Sequence, residues 1–338
     1  MASSKFEEKR ILVVGGTGSI GSALTRTLLN LKPGVVRVLS NDENGLFEME
    51  QELGERKDLR FLLGDVRDRE RMMLACRDID VVFHAAALKH VPISEYNPFE
   101  VVRTNVIGTQ NVLEAAIWEK AEKFLFISTD KAVNPVSTLG ASKLLCEKLV
   151  LDAASYRGPK LTAISCLRFG NVLGTRGSVV NIFASQIAKG GPVTVTDKSM
   201  TRFVMSSDGA VSLLLKAAEL ARGGEIFVLK MSAANILDLA QAMIDDLAPR
   251  YGRNPQDIKI QIIGTRPGEK MHEQLITEEE ASRTFDNGEL YAILPSTADS
   301  SAYPGFRPAS IATYSSKDAP LLSLEELRAL SRKVISAT

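Results

Sequence analysis

The sequence contains few of the residues that form disulfides or bind metal ions. Its three cysteines, Cys76, Cys146 and Cys166, lie far apart in apolar segments and form no C-x-x-C pair. An odd number of thiols in such surroundings is typical of buried cysteines in a reducing cytoplasm and argues against a disulfide or zinc framework. The three histidines are scattered without metal-ligand spacing, so the sequence predicts no metal site.

Long apolar runs and an excess of one charge are also absent. No run approaches the roughly 20 apolar residues that a bilayer-spanning helix needs, and the start, MASSKFEEKR, is polar with no secretory segment behind it. Lysine plus arginine (41) equals aspartate plus glutamate (41), so no global field favours a nucleic acid or an anionic membrane. We therefore expect a soluble, cytoplasmic protein that binds neither nucleic acid nor a membrane.

What the sequence does contain is a regular alternation of strand and helix patterns. Short β-rich runs at 11–14, 35–39 and 80–86 alternate with amphipathic segments such as 19–30 and 139–156. The β-rich runs are apolar almost throughout, which is expected of strands that helices cover on both faces. This pattern predicts an α/β fold with a Rossmann-type, doubly wound parallel sheet.

The pattern changes in the second half of the chain. After Asn171 a series of glycines breaks the chain into loops, and from about residue 231 helices and strands are mixed with irregular segments. We predict a dinucleotide-binding Rossmann domain over 1–170, to which 204–230 returns. The expected smaller C-terminal substrate-binding domain comprises 171–203 and 231–338.

The first strand runs directly into the glycine-rich segment 15-GGTGSIG-21 and a helix. Its G-x-x-G-x-x-G spacing allows a tight turn and close backbone approach to a pyrophosphate, with the helix N-terminus facing the phosphates. An ordinary glycine-rich turn is the alternative, but the position between a buried strand and a helix disfavours it. We predict a dinucleotide in contact with Gly15, Thr17, Gly18, Ser19, Ile20 and Gly21.

The end of the second strand indicates which dinucleotide is bound. A carboxylate there favours the ribose 2′-hydroxyl of NAD, whereas arginine or small polar groups accommodate the 2′-phosphate of NADP. Ser40 and Asn41 occupy this strand end and Asp42 follows, so the sequence favours NADP, with NAD as the alternative. Asp65, at the end of the third strand, is predicted to accept a hydrogen bond from the adenine amino group. The other predicted cofactor contacts are Val66, Ala85, Ala86, Ala87, Lys89, Asn105 and Lys143.

The segment 127-ISTDKAVNPVSTLGASKLL-145 lacks an expected proton carrier. In short-chain dehydrogenases the pattern Y-x-x-x-K places a tyrosine before the cofactor lysine as the redox acid/base. Here Leu139 stands at the tyrosine position before Lys143, and a leucine side chain cannot carry a proton. Either the chain has lost its chemistry or the neighbouring Asp130 and Lys131 carry it. The alternative for that pair is a solvated charged turn before a proline.

Six segments taken together resemble one protein family. They are 15-GGTGSIG-21, 85-AAALKHVPISEYNP-98, 128-STDKAVNP-135, 168-RFGNVLGTRGSV-179, 200-MTRFVMS-206 and 266-RPGEKMHE-273. From about residue 8 to 300 the chain is similar to the UDP-N-acetylglucosamine 4,6-dehydratases, in the polysaccharide-biosynthesis branch of the extended short-chain dehydrogenases. In that family the position of Leu139 holds tyrosine in one part and methionine in another, so the subgroup and the stereochemistry at C5 stay open.

The resemblance implies a redox and elimination chemistry on a sugar. A hydride leaves C4, a base removes the C5 proton while an acid protonates the departing 6-hydroxyl, and the hydride returns to C6. Such chemistry needs a carboxylic acid and an amine with pKa values moved toward neutrality. By resemblance, Thr129 positions the C4 hydroxyl, Asp130 is the acid at O6 and Lys131 is the base at C5. Lys143 is expected to bind the nicotinamide ribose, and Leu139 to form an apolar wall beside the nicotinamide.

A diphosphate substrate also needs cationic partners, among which a bidentate arginine fits best. By resemblance, several polar residues of the loops belong to a uridine diphosphate pocket, although each alone is also typical of a solvated surface. The predicted substrate contacts are Lys89, His90, Asn171, Arg176, Ser178, Arg202, Arg266 and Glu269.

The leading hypothesis is a nucleotide-sugar 4,6-dehydratase that converts UDP-N-acetylglucosamine, or a related sugar nucleotide, to a 4-keto-6-deoxy sugar for surface polysaccharide or unusual-sugar synthesis. The alternatives are a nucleotide-sugar 4-epimerase or oxidoreductase of the same fold, and a catalytically inactive nucleotide-binding protein. Asp130 and Lys131 separate these hypotheses, since an epimerase needs no acid/base pair at C5 and C6. By analogy we also expect a homo-oligomer that pairs through the helices at 98–120 and 139–156.

Overall fold

A ten-stranded sheet lies at the centre of the computed structural model, which describes residues 5–156 and 162–335. The strands of the described residues are β1 (Arg10–Val14), β2 (Val35–Ser40), β3 (Leu59–Leu63), β4 (Val81–His84), β5 (Lys123–Ile127), β6 (Ala163–Arg168), β7 (Asn171–Val172), β8 (Val193–Val195), β9 (Thr201–Met205), β10 (Ile226–Leu229), β11 (Ser232–Asn235), β12 (Ile260–Ile262), β13 (Gln274–Ile276), β14 (Thr284–Asp286), β15 (Leu290–Ile293), β16 (Arg307–Pro308) and β17 (Tyr314–Ser315). Of these, β1 to β6, β10 and β14 to β16 form the ten-stranded sheet. The helices are α1 (Ser19–Leu29), α2 (Glu43–Leu53), α3 (Arg69–Cys76), α4 (Val91–Tyr96), α5 (Pro98–Val101), α6 (Gly108–Trp118), α7 (Thr138–Tyr156), α8 (Val179–Lys189), α9 (Ser207–Leu220), α10 (Ile236–Leu247), α11 (Glu278–Ala281) and α12 (Leu324–Ile335).

Parallel strands in the order β3-β2-β1-β4-β5-β6-β10 form the larger part of this sheet. The first six follow the 3-2-1-4-5-6 order of a Rossmann fold. This order confirms the predicted α/β, doubly wound architecture. Because the strand order reverses between β1 and β4, the crevice outside their carboxyl ends is the expected ligand site of such a sheet.

The helices that follow β1 and β2 begin in different ways. Asp42 caps α2, where its side chain accepts a hydrogen bond from the backbone N–H of Gly45. In contrast, α1 begins directly after Gly18 with no side-chain cap. The first N–H groups of α1 therefore stay available to bind an anion.

The helical segment expected from 98 to 120 contains a break in its regular geometry. A π-helical stretch, Val102–Ile107, connects α5 to α6. Such stretches are frequent at functional sites. Asn105 lies in this one, and its amide exchanges hydrogen bonds with the backbone of Leu88 and donates to Oγ of Ser142. The stretch thus positions the chain that follows β4.

Buried apolar side chains form two clusters. The larger cluster surrounds the ten-stranded sheet and includes Phe83, Phe126 and Phe227. The smaller cluster packs α8 and α10 together, with Phe183 and Met243 among its members. The three cysteines are buried and free.

The ten-stranded sheet also takes strands from the C-terminal part of the chain. α9 and β10, within 204–230, lie with this sheet, and β15, β14 and β16 extend it from β10 by antiparallel pairing. These strands lie within the predicted substrate-binding domain, and their backbone hydrogen bonds cover an edge of the main sheet. The division into two domains stays a prediction.

Candidate active site

The predicted cofactor residues meet at the carboxyl edge of the sheet. One pocket there is lined by the glycine-rich loop, the ends of β2 and β3, the segment after β4, and one arginine from the loop after β7. Its lining residues are Gly15, Thr17, Gly18, Leu39, Ser40, Asn41, Asp42, Gly64, Asp65, Val66, Ala85, Ala86, Ala87, Leu88, Thr104 and Arg176. Ser19, Ile20, Gly21, Lys89, Asn105 and Lys143 were also predicted to contact the cofactor but do not line this pocket.

The glycines of the loop fit a dinucleotide for separate reasons. A Cβ at Gly15 would lie 2.6 Å from the backbone nitrogen of Ala86, and a Cβ at Gly21 would lie 2.3 Å from the carbonyl oxygen of Gly15. A Cβ at Gly18, which lines the pocket, would meet among the described residues outside its chain neighbours only that same oxygen, at 3.1 Å. Two glycines therefore allow the packing of the loop, and the third leaves space for a phosphate at the start of α1.

The end of β2 carries a small network of polar side chains. Oγ of Ser40 lies 2.7 Å from Oγ1 of Thr17 and accepts a hydrogen bond from the backbone N–H of Asp42. Asp65 is held by Arg67, whose guanidinium donates to both carboxylate oxygens. These hydrogen bonds from Arg67 lower the pKa of Asp65. The predicted contact of Asp65 with adenine stays a prediction.

Lys143 and Asn105 are buried beneath the pocket. Nζ of Lys143 donates to the carbonyl oxygen of Ile127 at 2.8 Å and lies 4.4 Å from the ring centroid of Phe126. Burial lowers the pKa of Lys143. Both donors of the Asn105 amide are already in hydrogen bonds within the protein. In this conformation Asn105 supports the segment after β4, and the predicted contacts of both residues with the cofactor stay untested.

Asp130 and Lys131 lie where β5 ends, at the centre of the crevice. Oδ1 of Asp130 accepts hydrogen bonds from Nζ of Lys131 at 2.9 Å and from Oγ1 of Thr129 at 2.8 Å. The second carboxylate oxygen of Asp130 is buried and has no hydrogen-bond partner among the described residues. The Asp130 side chain is fully buried, whereas a quarter of the Lys131 side chain is exposed. The pair is a buried acid and a reachable amine, not a solvated turn.

Glu273 is a member of this site that the sequence interpretation missed. Its side chain is 3% exposed, and Oε1 lies 3.6 Å from Nζ of Lys131. Nζ of Lys270 lies 3.6 Å from Oε2, and Nε of Arg202 lies 3.9 Å from Oε1. The signal was present in the segment 266-RPGEKMHE-273, in which Arg266 and Glu269 were predicted to bind the substrate but Glu273 was not.

The two carboxylates around Lys131 control its charge. Burial alone would lower the pKa of Lys131, but the negative charges of Asp130 and Glu273 outweigh burial and raise it. Leu139, at the tyrosine position, is buried near the start of α7. Because a leucine carries no proton, the assignment of the proton chemistry to Asp130 and Lys131 stays a prediction.

The predicted substrate residues do not form one group. Arg202 lies beside the Asp130–Lys131 pair, where its guanidinium donates to the backbone oxygens of Lys270 and Met271. Oδ1 of Asn171 and Oγ of Ser178 are buried without a hydrogen-bond partner among the described residues. Both atoms are therefore free to bind a ligand.

The other predicted substrate residues lie elsewhere. Arg266 is exposed on a loop where its backbone N–H donates to the carboxylate of Glu269. Arg176 lines the cofactor pocket instead of joining Arg202. Desolvation and the positive charge of Arg176 lower the pKa of Lys89.

The chain is similar to several known proteins. It matches the family described as "Polysaccharide biosynthesis protein" over residues 11–295. It is 51% identical over 332 residues to an uncharacterized membrane protein of Methanocaldococcus jannaschii, covering 98% of each chain. It is 43% identical over 293 residues to the UDP-N-acetylglucosamine 4,6-dehydratase (inverting) of Campylobacter jejuni, covering 86% of this chain and 84% of the relative. It is 39% identical over 336 residues to the UDP-glucose 4-epimerase of Rickettsia canadensis, covering 96% of each.

The chain is also similar to solved structures. Pen from Bacillus thuringiensis has a TM-score of 0.91 and 41% identity, covering 98% of this chain and 99% of that one. The dTDP-glucose 4,6-dehydratase DesIV from Streptomyces venezuelae has a TM-score of 0.72 at 21% identity, covering 97% of each chain, which supports the fold alone. Among the helices of 5–156 and 162–335, none has the length and apolar character needed to span a bilayer.

Proposed function

The chain belongs to the polysaccharide biosynthesis protein family, and we propose that it is a nucleotide-sugar 4,6-dehydratase acting on UDP-N-acetylglucosamine. The observation that carries this proposal is the Asp130–Lys131 pair, which follows β5 at the same edge of the sheet as the pocket that fits a dinucleotide. An elimination across C5 and C6 needs one acid and one base at adjacent carbons, and this pair supplies both. The dehydratase of Campylobacter jejuni supports the choice of reaction and substrate.

The cofactor in this proposal is NADP, with NAD as the alternative. A bound nicotinamide would supply the hydride-transfer chemistry at C4 and C6. Gly15, Gly18 and the N-terminus of α1 would hold the pyrophosphate. Ser40 and Asn41 would face the adenosine ribose, and the small residues after β4 would let the nicotinamide end lie against the backbone.

The pair shares one proton, and its position along the 2.9 Å hydrogen bond sets the chemistry. The raised pKa of Lys131 favours the proton on its amine, and transfer of that proton to Asp130 gives the reactive form, a neutral acid beside a neutral amine. Asp130 then protonates the 6-hydroxyl, which leaves as water, while Lys131 takes the C5 proton. The elimination thus leaves the ion pair. Lys131 returns a proton to C5 as the hydride reaches C6, and the pair takes up one proton from solvent, matching the proton that O4 releases.

Polar groups around the pair would orient the substrate. Nε of Arg202 lies within 4 Å of Glu273, and the Arg202 side chain is partly exposed. The exposed part of its guanidinium is available to a diphosphate oxygen. Asn171 at the start of β7 and Ser178 at the end of the loop before α8 carry buried oxygens without a hydrogen-bond partner among the described residues. We propose that these three residues bind the nucleotide diphosphate, and that Thr129 holds the C4 hydroxyl.

A 4-epimerase is the second candidate, since a UDP-glucose 4-epimerase is similar to the chain along 96% of its length. An epimerase needs hydride transfer at C4 alone, and Asp130 and Lys131 would then have no role at C5 or C6.

The expected homo-oligomer also stays a proposal, which the exposed apolar side chains of Tyr96, Phe99 and Leu145 on α4, α5 and α7 support.

The test is a proton NMR time course of the purified chain with UDP-N-acetylglucosamine in deuterated water, with and without added NADP. We expect a new C6 methyl signal and deuterium at C5. A C4 epimer without a methyl signal would establish the epimerase instead. The ring couplings of the product report whether C5 is retained or inverted.

A further inference from the structure

Arg176 lies across the cofactor pocket, away from the Asp130–Lys131 pair. Its guanidinium donates to the carbonyl oxygen of Thr17 in the glycine-rich loop, and Nη1 lies 3.5 Å from Oδ2 of Asp42. Its backbone N–H donates to Oγ of Ser19 at 3.1 Å. The arginine therefore spans from the phosphate end of the pocket to the turn between β2 and α2.

The backbone conformation of the loop that carries Arg176 places this loop over the pocket. Gly177, next in the chain, has a φ of +73°, and a Cβ there would lie 2.5 Å from Cε1 of His90. This close approach and the left-handed conformation both require glycine. The backbone at Gly177 thus passes directly over the His90 ring and directs Arg176 toward the pocket.

The two carboxylate oxygens of Asp42 have different partners, and one of them faces Arg176. Its Oδ1 accepts the backbone N–H of Gly45 at 3.0 Å and so caps α2. The other oxygen faces the guanidinium, and both side chains of this ion pair are substantially exposed. Exposed pairs of this kind contribute little to stability and exchange partners readily. A phosphate dianion can bind the guanidinium through two hydrogen bonds and so binds it more strongly than the Asp42 carboxylate does from 3.5 Å.

The position of Arg176 selects which phosphate it reaches. The pyrophosphate already has the N-terminus of α1 and the loop backbone as partners. Arg176 extends past Thr17 to Asp42, beside Ser40 and Asn41, where the ribose 2′ position lies in this fold. We propose that Arg176 binds the 2′-phosphate of NADP and that this contact determines the preference for NADP over NAD. The inference rests on the dinucleotide of the proposed function but not on the sugar reaction.

The test is direct titration of the full chain, freed of bound nucleotide, with NADP and NAD by calorimetry. In Arg176→Gln we expect the NADP affinity to fall by about 10- to 100-fold, because hydrogen bonds to a charged group are lost. The NAD affinity should change by less than about threefold. An equal loss for both nucleotides would assign Arg176 to the pyrophosphate, and no loss for either would remove it from the site; both results overturn the proposal.

Two further variants sharpen the test. Arg176→Lys keeps the charge without the bidentate fork and should recover part of the NADP affinity. Asp42→Asn keeps a good cap for α2 but removes the competing charge, so NADP should bind several-fold more tightly. Weaker NAD binding with unchanged NADP binding in Asp42→Asn would make Asp42 the partner of the NAD ribose and overturn the proposal. Since no sugar nucleotide is present, these results are independent of the dehydratase test.

Discussion

Nζ of Lys131 lies 3.6 Å from Oε1 of Glu273, which joins the turn after β5 to the segment before β13. Glu273 is buried and also faces Lys270 and Arg202. Glu273 thus neutralises part of the positive charge of three side chains: Lys131, which belongs to the Asp130–Lys131 pair, Lys270 and Arg202. The charge state of Lys131 depends on Glu273 as well as on Asp130.

Glu273→Gln should move the pH dependence of dehydration without removing it. Loss of the negative charge of Glu273 should lower the pKa of Lys131, so the limb of the pH profile that Lys131 controls should move to lower pH by about one unit. The measurement is the rate of methyl formation by NMR against pH. Glu273→Asp should restore most of the wild-type profile. An unchanged profile with a reduced rate would mean that Glu273 is only structural.

Asp130→Asn and Lys131→Met should each reduce dehydration by about 10²- to 10⁴-fold, because each removes one partner of the acid/base pair. Lys131→Met should also lose deuterium incorporation at C5, whereas cofactor binding should not change. Lys148→Met, at an exposed position on α7, is the matched control and should retain activity. Near-normal dehydration in either site variant would assign the proton transfers to other groups.

Leu139→Tyr tests whether the missing tyrosine limits the reaction. Leu139 is 3% exposed, so the larger ring should cost about 1–3 kcal/mol of unfolding free energy through overpacking. If Asp130 and Lys131 carry the proton chemistry, the new hydroxyl should not accelerate dehydration. The two measurements are thermal unfolding and the methyl-formation rate. A gain of about tenfold, or 1.4 kcal/mol of barrier, would show that a redox acid/base is missing.

The buried ion cluster of Arg168 should be sensitive to loss of one partner. Nη2 of Arg168 lies 2.7 Å from Oε2 of Glu147, and both side chains are 2% exposed. Glu147→Gln should therefore lower the unfolding free energy by about 3–5 kcal/mol, since the guanidinium loses a buried countercharge. Glu52→Gln, which breaks the exposed pair with Arg26, should cost less than about 1 kcal/mol. Chemical denaturation compares the two.

The ionisation of Glu280 should make part of the free energy of unfolding dependent on pH. Burial would raise the pKa of Glu280, but the charge and hydrogen bonds of Arg168 outweigh burial and lower it below 4.5. A lowered carboxylate pKa stabilises the fold above the unfolded value, and that contribution is lost as the pH falls through the folded value. The difference in stability between wild type and Glu280→Gln should therefore shrink as the pH falls below about 4.5. A difference that stays constant from pH 7 to pH 3 would contradict this assignment.

The sequence by itself determined the features that depend on local pattern. Apolar strand runs, the glycine-rich loop at Gly15–Gly21 and the polar residues at strand ends predicted the Rossmann sheet. The position of Asp130 and Lys131 after a buried strand predicted that they lie at the carboxyl edge of the sheet, whereas their roles were implied by the family resemblance.

Only the tertiary structure decided which distant residues join these groups. Glu273 reaches Lys131 from another segment, Arg176 lies over the cofactor pocket instead of beside Arg202, and β14 to β16 complete the main sheet. The physical reason is that local periodicity specifies which face of an element is buried but not which element covers it. Charged partners far apart in sequence are chosen by packing, and packing depends on the whole chain.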